Sequence, residues 1–247
     1  MLKEAIEKIQ EMVRAQVYEN KERDSFVVIG GKGEIVQYTA KRQAPKALAL
    51  YSLNGLVTFV KNEATNEFET PLFLSVQDHR IVTCYGKPLS YEESYFRPTY
   101  YIAEAKESPV NEFELQGTYD EMQVALMTRF QETPDLPYVL KLLSSITTGA
   151  KVTFNNNGVA TSVVTTKGVA LQSNEMVKPI VKLKPYRTFY EVDQPESPFL
   201  LRLNEHGARL IPADGGIWKL KARKTIKEYL EDALAEEIKA GIVAVSL

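Results

Sequence analysis

The sequence PLFLSVQDHRIVTCY, residues 71–85, decides the fold because it contains two strand patterns joined by a short polar turn. Both halves are short runs rich in apolar and aromatic residues, as expected for strands, and residues 81–85 also alternate in character. Gln77, Asp78 and His79 separate the halves. The stretch therefore predicts an antiparallel hairpin. Cys84 lies inside the second strand, where a small apolar side chain is expected, and we interpret it as a buried structural cysteine.

Turns rich in glycine and asparagine predict two further hairpins. Gly30, Gly31 and Gly33 separate one pair of β-rich runs, and the sequence NNNG at residues 155–158 separates another. Asn and Gly tolerate the positive φ angles that tight hairpin turns require. Additional extended segments are predicted at residues 180–183, 188–192, 199–203 and 208–211.

Apolar residues at three- and four-residue spacing predict the helices. One stripe occupies residues 2–17, a second helix follows the cap residue Ser52, a central pair begins near Asp120 and Leu136, and a closing helix ends near Gly241. Strands and helices occur in clusters, without the alternation of a doubly wound sheet. The predicted class is α+β, a mainly antiparallel sheet with hairpins, an amino-terminal helix, a central helix pair and a carboxy-terminal helix.

The domain organisation has two interpretations. A seam near Gly149, where the central helices give way to hairpins, would divide the chain into an amino-terminal helix plus α+β lobe at residues 1–148 and a hairpin-rich lobe with the closing helix at residues 149–247. One continuous domain at residues 20–247 is the alternative, because 247 residues fit within a single large core.

Composition restricts the class of protein. The chain is 44% hydrophobic and 25% charged, which is typical of a globular protein, and its net charge of −2 argues against a strongly basic nucleic-acid protein. No apolar run approaches the length of a membrane span, and the acidic amino terminus is unlike a signal peptide. A single cysteine excludes an intramolecular disulfide and a cysteine-rich zinc site. We expect a cytoplasmic protein that does not bind membranes.

Residues that could carry catalysis form no recognisable motif. His79 and His206 are far apart in predicted turns and lack metal-ligand spacing, so we interpret both as isolated surface histidines. Adjacent carboxylates occur in several places but usually face water. We therefore expect a protein that is not an enzyme and that uses no cofactor or metal.

The densest aromatic group is a candidate for partner contact or base stacking. Aromatic rings and arginine planes stack on bases without sequence-specific hydrogen bonds, but such residues more often pack in cores and interfaces. The candidate interface or stacking residues are Tyr91, Tyr95, Phe96, Arg97 and Tyr100.

A basic segment at the start of the closing helix is the main candidate binding site. Residues 178–227 hold 11 basic and 5 acidic residues, whereas residues 228–247 hold 1 and 5. Cations at the start of a helix and acids in its later turns oppose the helix dipole. A phosphate-bearing ligand or an acidic surface of another subunit would compensate; the alternative is a solvated face on which Lys227 pairs with Glu231. The candidate anion- or partner-binding residues are Lys219, Lys221, Arg223, Lys224 and Lys227.

The block around this segment resembles a known family. The residues that carry the resemblance are 184–189, 191–195, 197–203 and 213–218, with weaker likeness at 51–57 and 73–85. They resemble the YfdQ-like family of bacteriophage and prophage proteins. The resemblance implies a phage or prophage origin and action in the cytoplasm of the bacterial host cell, and it supplies no activity and no catalytic residues.

The block itself is interpreted as framework. Asp214, Gly215 and Gly216 form a tight turn that presents Trp218, and Arg187 and Arg202 could pair with Glu191 or Asp193 across strands.

Together these features favour a bacteriophage protein that is not an enzyme, self-associates into a homo-oligomer and acts by binding. The alternative is an accessory factor of phage DNA metabolism that binds single-stranded nucleic acid through the basic and aromatic residues. A third hypothesis is inhibition of a host defence protein.

Overall fold

The computed structural model describes part of the chain. The described residues are 3, 16–20, 25–29, 35–39, 46–63, 71–86, 97–108, 115–147, 151–156, 161–167 and 170–247. The chain divides into two compact units, Met1–Pro45 with Pro88–Pro98, and Lys46–Lys87 with Thr99–Leu247. The predicted seam at Gly149 lies outside the described residues, so the two-lobe division stays a prediction.

The first unit contains an antiparallel three-stranded sheet in the order β1-β2-β3. Its strands are β1 (Gln16–Asn20), β2 (Ser25–Ile29) and β3 (Ile35–Thr39). Ile29 faces Ile35 across the predicted glycine turn, which confirms that hairpin. Of the predicted amino-terminal helix, Lys3 is helical but Val17 belongs to β1, where it faces Val28, and the residues from 4 to 15 lie outside the described ones. The apolar spacing predicted a helix at Val17, but pairing with β2 places Val17 in a strand.

The second unit contains two five-stranded sheets, and we number its elements in chain order. The first sheet has the order β16-β5-β6-β7-β4 and is covered on one face by helices α1 and α4. These elements are β4 (Leu48–Leu50), α1 (Leu53–Glu63), β5 (Leu72–Val76), β6 (Ile81–Tyr85), β7 (Thr99–Glu104), α4 (Trp218–Ala233) and β16 (Val243–Ser246).

The pairing in this first sheet confirms the hairpin at residues 71–85, since β5 and β6 are antiparallel. The two outer strands, β16 and β4, instead pair in parallel with β5 and β7. Leu74 and Cys84 face each other on the covered side and are fully buried, as the alternation predicts. The sheet is therefore mixed, with an antiparallel centre.

The second sheet is antiparallel throughout, in the order β8-β15-β14-β13-β9. Helices α2 and α3, the predicted central pair, pack on it and form a second apolar core. Its elements are β8 (Leu115–Gly117), α2 (Tyr119–Arg129), β9 (Phe130–Gln131), α3 (Leu136–Thr147), β13 (Ile180–Pro185), β14 (Ser197–Asn204) and β15 (Gly207–Pro212). The α+β class is thus confirmed.

A three-stranded antiparallel sheet lies between α3 and β13 in the sequence. Its strands are β10 (Lys151–Asn156), β11 (Thr161–Lys167) and β12 (Ala170–Met176). Asn156 faces Thr161, which confirms a hairpin across the asparagine-rich turn. The pairing of β11 with β12 shifts register between Thr165 and Thr166.

The prediction of a strand at residues 188–192 is wrong, because this segment is a turn. The side chain of Gln194 replaces the missing strand partner. Its Oε1 accepts hydrogen bonds from the backbone N–H groups of Arg187 and Thr188, and its Nε2 donates to the carbonyl oxygens of Phe189 and Val192. A buried amide that satisfies four backbone groups stabilises the turn without a sheet neighbour.

Helix α1 has two caps, one predicted and one supplied by tertiary structure. Ser52 Oγ accepts from the N–H of Gly55 at 3.0 Å, which confirms Ser52 as a cap. Glu191 Oε1, from the turn just described, accepts from the N–H groups of Leu53 at 2.8 Å and Asn54 at 3.3 Å. The turn at 188–192 therefore fastens the start of α1.

Candidate interaction surface

Helix α4 positions the basic segment by burying one face against the first sheet. Trp218, Ala222, Ile226 and Leu230, spaced four residues apart, are buried. The opposite face points outward, since residues three and four apart share one side of a helix. The exposed or half-exposed residues of that face are Ile217, Leu220, Lys221, Lys224, Glu228, Glu231 and Asp232. We call these residues the outer face of α4.

The five predicted cations do not act as one group. Lys221 and Lys224 are exposed on the outer face and form no ion pair with the described residues. Lys219 is half-buried, with its Nζ 5.9 Å from the centroid of the Trp218 ring. Arg223 donates from Nε to the carbonyl of Val76 at 3.2 Å. Arg223 therefore helps to fasten α4 to β5.

Lys227 pairs with Glu231 at 3.4 Å, as the solvated-face alternative predicts. Both side chains are partly exposed, so this i,i+4 pair contributes only a few tenths of a kcal/mol. It uses one of the five cations and leaves Lys221 and Lys224 available to a partner.

The charge order of α4 opposes the helix dipole in the structure as it does in the sequence. The first turn contains no acid, the last turn contains no base, and Ile217 supplies no side-chain cap. Each such charge costs a few tenths of a kcal/mol relative to the favourable arrangement. The helix nevertheless forms because its apolar face is buried. The outer face keeps a positive half, Lys221 and Lys224, and a negative half in which Glu231 is paired with Lys227.

The aromatic candidates are placed only in part. Tyr91, Tyr95 and Phe96 lie outside the described residues, and Arg97 is half-buried. Tyr100 packs edge to face with Tyr101 at a centroid distance of 6.3 Å and contacts the first core. Its ring fills the space beside Gly86, where a Cβ atom would meet it. Tyr100 therefore contributes to packing, the role that such aromatic residues have more often than stacking on bases.

A second polar cluster, which sequence reasoning treated as framework, lies where the two sheets meet. Arg187 is 3% exposed, and its guanidinium carbon lies 3.9 Å from the centroid of the Trp218 ring. Arg187 donates to Ser197 Oγ, and Ser197 Oγ donates to Asp214 Oδ2 at 2.9 Å. We call Arg187, Trp218, Ser197 and Asp214 the junction cluster.

Burial dominates the electrostatics of the junction cluster. It lowers the pKa of Arg187 to about 10, while the charge of Asp214 acts in the opposite direction. Arg187 thus stays cationic at neutral pH, held by an aromatic face and by Asp214 through a shared hydroxyl. Among the described residues its buried Nε has no hydrogen-bond partner.

The expected pairing of Arg187 with Glu191 or Asp193 is wrong. Asp193 pairs with Lys184 at 2.8 Å, and Glu191 caps α1. The prediction assumed a strand at 188–192, and the turn folded around Gln194 separates Arg187 from both carboxylates.

His79 is also placed differently from the prediction of a surface histidine. It is buried, and its ring meets the Trp218 ring edge to face at 4.7 Å. Its carbonyl oxygen accepts a hydrogen bond from Thr188 Oγ1. The turn between β5 and β6 is thereby attached to the segment that carries Arg187. His206, in contrast, is exposed, as predicted.

Two features of the described residues concern metals and membranes. No group of three or more His, Cys, Asp or Glu side chains within them could hold a metal ion. None of the described helices is both long and apolar enough to cross a membrane.

No family model, curated protein or solved structure matches this chain.

Proposed function

We propose that this protein is a binding protein that self-associates into a homo-oligomer and does not act as an enzyme. The observation that carries the proposal is the outer face of α4, on which exposed Lys221 and Lys224 are followed by exposed Glu228 and Asp232. One surface thus presents both signs of charge in separate halves. Such a surface is complementary to a second copy of itself.

Exposed apolar residues beside the cations add to this support. Ile217 is 58% and Leu220 is 46% exposed at the start of the outer face. Single exposed apolar residues are common, but two adjoining a charged stripe supply the apolar contact that protein interfaces usually contain.

Binding of single-stranded nucleic acid has less support. A groove for a phosphate backbone is lined with cations over several nucleotides, whereas the acids of α4 share the exposed face with Lys221 and Lys224. Arg223 and Lys227 are engaged within the chain, and Tyr100 packs against the core. The phage origin suggested by the YfdQ-like residues and the inhibition of a host defence protein stay predictions.

The mass of the protein in solution tests the proposal. Light scattering or sedimentation at micromolar concentration should give a multiple of the monomer mass, and the multiple should fall as salt is raised because exposed charges are screened. A strictly monomeric protein at these concentrations would refute self-association. Tight, salt-sensitive binding of a labelled oligonucleotide by a monomer would favour the nucleic-acid alternative.

A further inference from the structure

We infer that the outer face of α4 pairs with the same face of a second copy, antiparallel and about a two-fold axis that passes between Lys224 and Glu228. This inference rests on the proposed self-association and names its surface. In this arrangement each residue before the axis faces the residue equally far beyond it.

The register brings opposite charges together. Lys224 faces Glu228 of the second copy, and Lys221 faces Glu231 of the second copy, whose carboxylate also contacts Lys227 of its own chain. Because the axis is two-fold, each contact occurs twice, so four opposite-charge contacts form from one helix pair. Leu220 faces Asp232 of the second copy, and Ile217 lies just beyond the end of that copy's α4, which ends at Ala233.

Other arrangements of two α4 helices are less favourable. A parallel pair would place Lys221 and Lys224 beside the same lysines and Glu228 beside the same glutamate, and like charges in direct contact repel. A head-to-tail arrangement would satisfy the lysines of one copy but leave the opposite ends unpaired, unless further copies were added. The antiparallel pair satisfies both halves within a dimer.

The size of the helix limits the strength of the contact. A helix of 16 residues is about 24 Å long, so one helix pair buries less surface than the roughly 800 Å² per partner of a standard interface. We therefore expect association in the micromolar range, with a strong dependence on salt.

Charge reversal at one facing pair tests the inference. Lys224→Glu alone, or Glu228→Lys alone, turns two attractive contacts into two repulsive ones and should weaken dimerisation about tenfold to a hundredfold. An equimolar mixture of the two variants should associate again, because the two charges of one variant then face the opposite charges of the other. Combining both changes in one chain should restore the homodimer for the same reason.

Controls separate this contact from effects within the helix. Lys141→Glu, on the exposed side of α3, should leave the dimerisation constant unchanged. Circular dichroism should show that each variant keeps its helix content, and sedimentation velocity gives the dimerisation constants. The return of association on mixing cannot arise from helix stability, since each chain keeps its own single change.

Three results would overturn parts of the proposal in distinct ways. A monomeric wild-type protein would refute the proposed function and the inference with it. Single variants that associate as strongly as the wild type would refute the inference alone, leaving self-association through another surface. Variants that dissociate but do not associate on mixing would refute the antiparallel register.

Discussion

The guanidinium carbon of Arg187 lies 3.9 Å from the centroid of the Trp218 ring. This contact joins the segment between β13 and the turn at 188–192 to the first turn of α4. The guanidinium also donates to Ser197 Oγ, and Ser197 Oγ in turn donates to Asp214 Oδ2. Since Arg187 precedes β14 and Trp218 begins the helix that covers the first sheet, this contact connects the two five-stranded sheets of the second unit.

Replacing Arg187 by Lys should lower the free energy of unfolding by about 2–4 kcal/mol. A lysine keeps the charge but loses the planar group that lies over the indole, and its strongly hydrated ammonium would be buried. Urea unfolding measures the change. The control is Arg129→Lys, at an exposed position of α2, which should change the stability by less than about 0.5 kcal/mol. Equal effects of both changes would contradict the role of the Arg187 contact.

Replacing Glu191 by Gln should destabilise the protein by about 0.5–1 kcal/mol, because the carboxylate accepts hydrogen bonds from Leu53 and Asn54 at the positive end of α1. Glu205→Gln, at an exposed position, is the matched control. Burial and then the charge of Glu191 raise the pKa of Tyr229. The variant should therefore also lower the pKa of Tyr229, which an NMR titration of labelled tyrosine would show. An unchanged pKa of Tyr229 would argue that the charge of Glu191 does not act on Tyr229.

Replacing Asp135 by Asn should reduce stability at neutral pH and remove part of its acid dependence. The backbone N–H of Lys182 and then the ammonium of Lys178 lower the pKa of Asp135 from its ordinary 3.8. A folded-state pKa below the unfolded one stabilises the protein above the unfolded value, and the stabilisation is lost as pH falls through the folded value.

The difference in stability between the wild type and the Asp135→Asn variant should therefore be about 1–2 kcal/mol at pH 7 and should shrink below about pH 4. Unfolding curves over this pH range measure it. Glu132→Gln, at an exposed position, serves as control. A difference that stays constant down to pH 2 would show that the charge of Asp135 is not responsible.

Replacing Gly207 by Ala should cost more than replacing Gly215 by Ala. A Cβ at Gly207 would lie 2.1 Å from the carbonyl oxygen of Gly117, so β8 and β15 would have to separate. At Gly215, where φ is +62°, nothing lies within 4 Å and the cost is that of the backbone conformation, about 1 kcal/mol. We expect at least about 3 kcal/mol at Gly207 from thermal unfolding. A smaller effect there than at Gly215 would contradict the close approach of the two strands.

Local patterns predicted the parts of the fold that depend on neighbouring residues. The hairpin at residues 71–85 follows from the alternation of apolar residues and from its polar turn, and Ser52 caps the helix that it precedes. The parallel pairing of β16 with β5 could not be predicted in this way. It joins segments about 170 residues apart, and no periodicity within either strand shows which edge it will meet.

The candidate site also depends partly on local sequence and partly on tertiary contacts. The sequence gives the order of charges on the closing helix, but the exposure of Lys221 and Lys224 and the engagement of Arg223 depend on which face α4 buries. His79 was predicted at the surface because its neighbours are polar, and the Trp218 ring, distant in sequence, buries it.

The sequence by itself determined the α+β class, the hairpins, the start of α1 and the separation of positive from negative charge in the last helix. Spacing, turn residues and side-chain charge are sufficient for these features because each acts over a few residues. Only the tertiary structure decided which of the charges remain exposed and where Arg187 finds its partners. Both depend on contacts between segments far apart in the chain, whose free energy comes from burial that no local pattern contains.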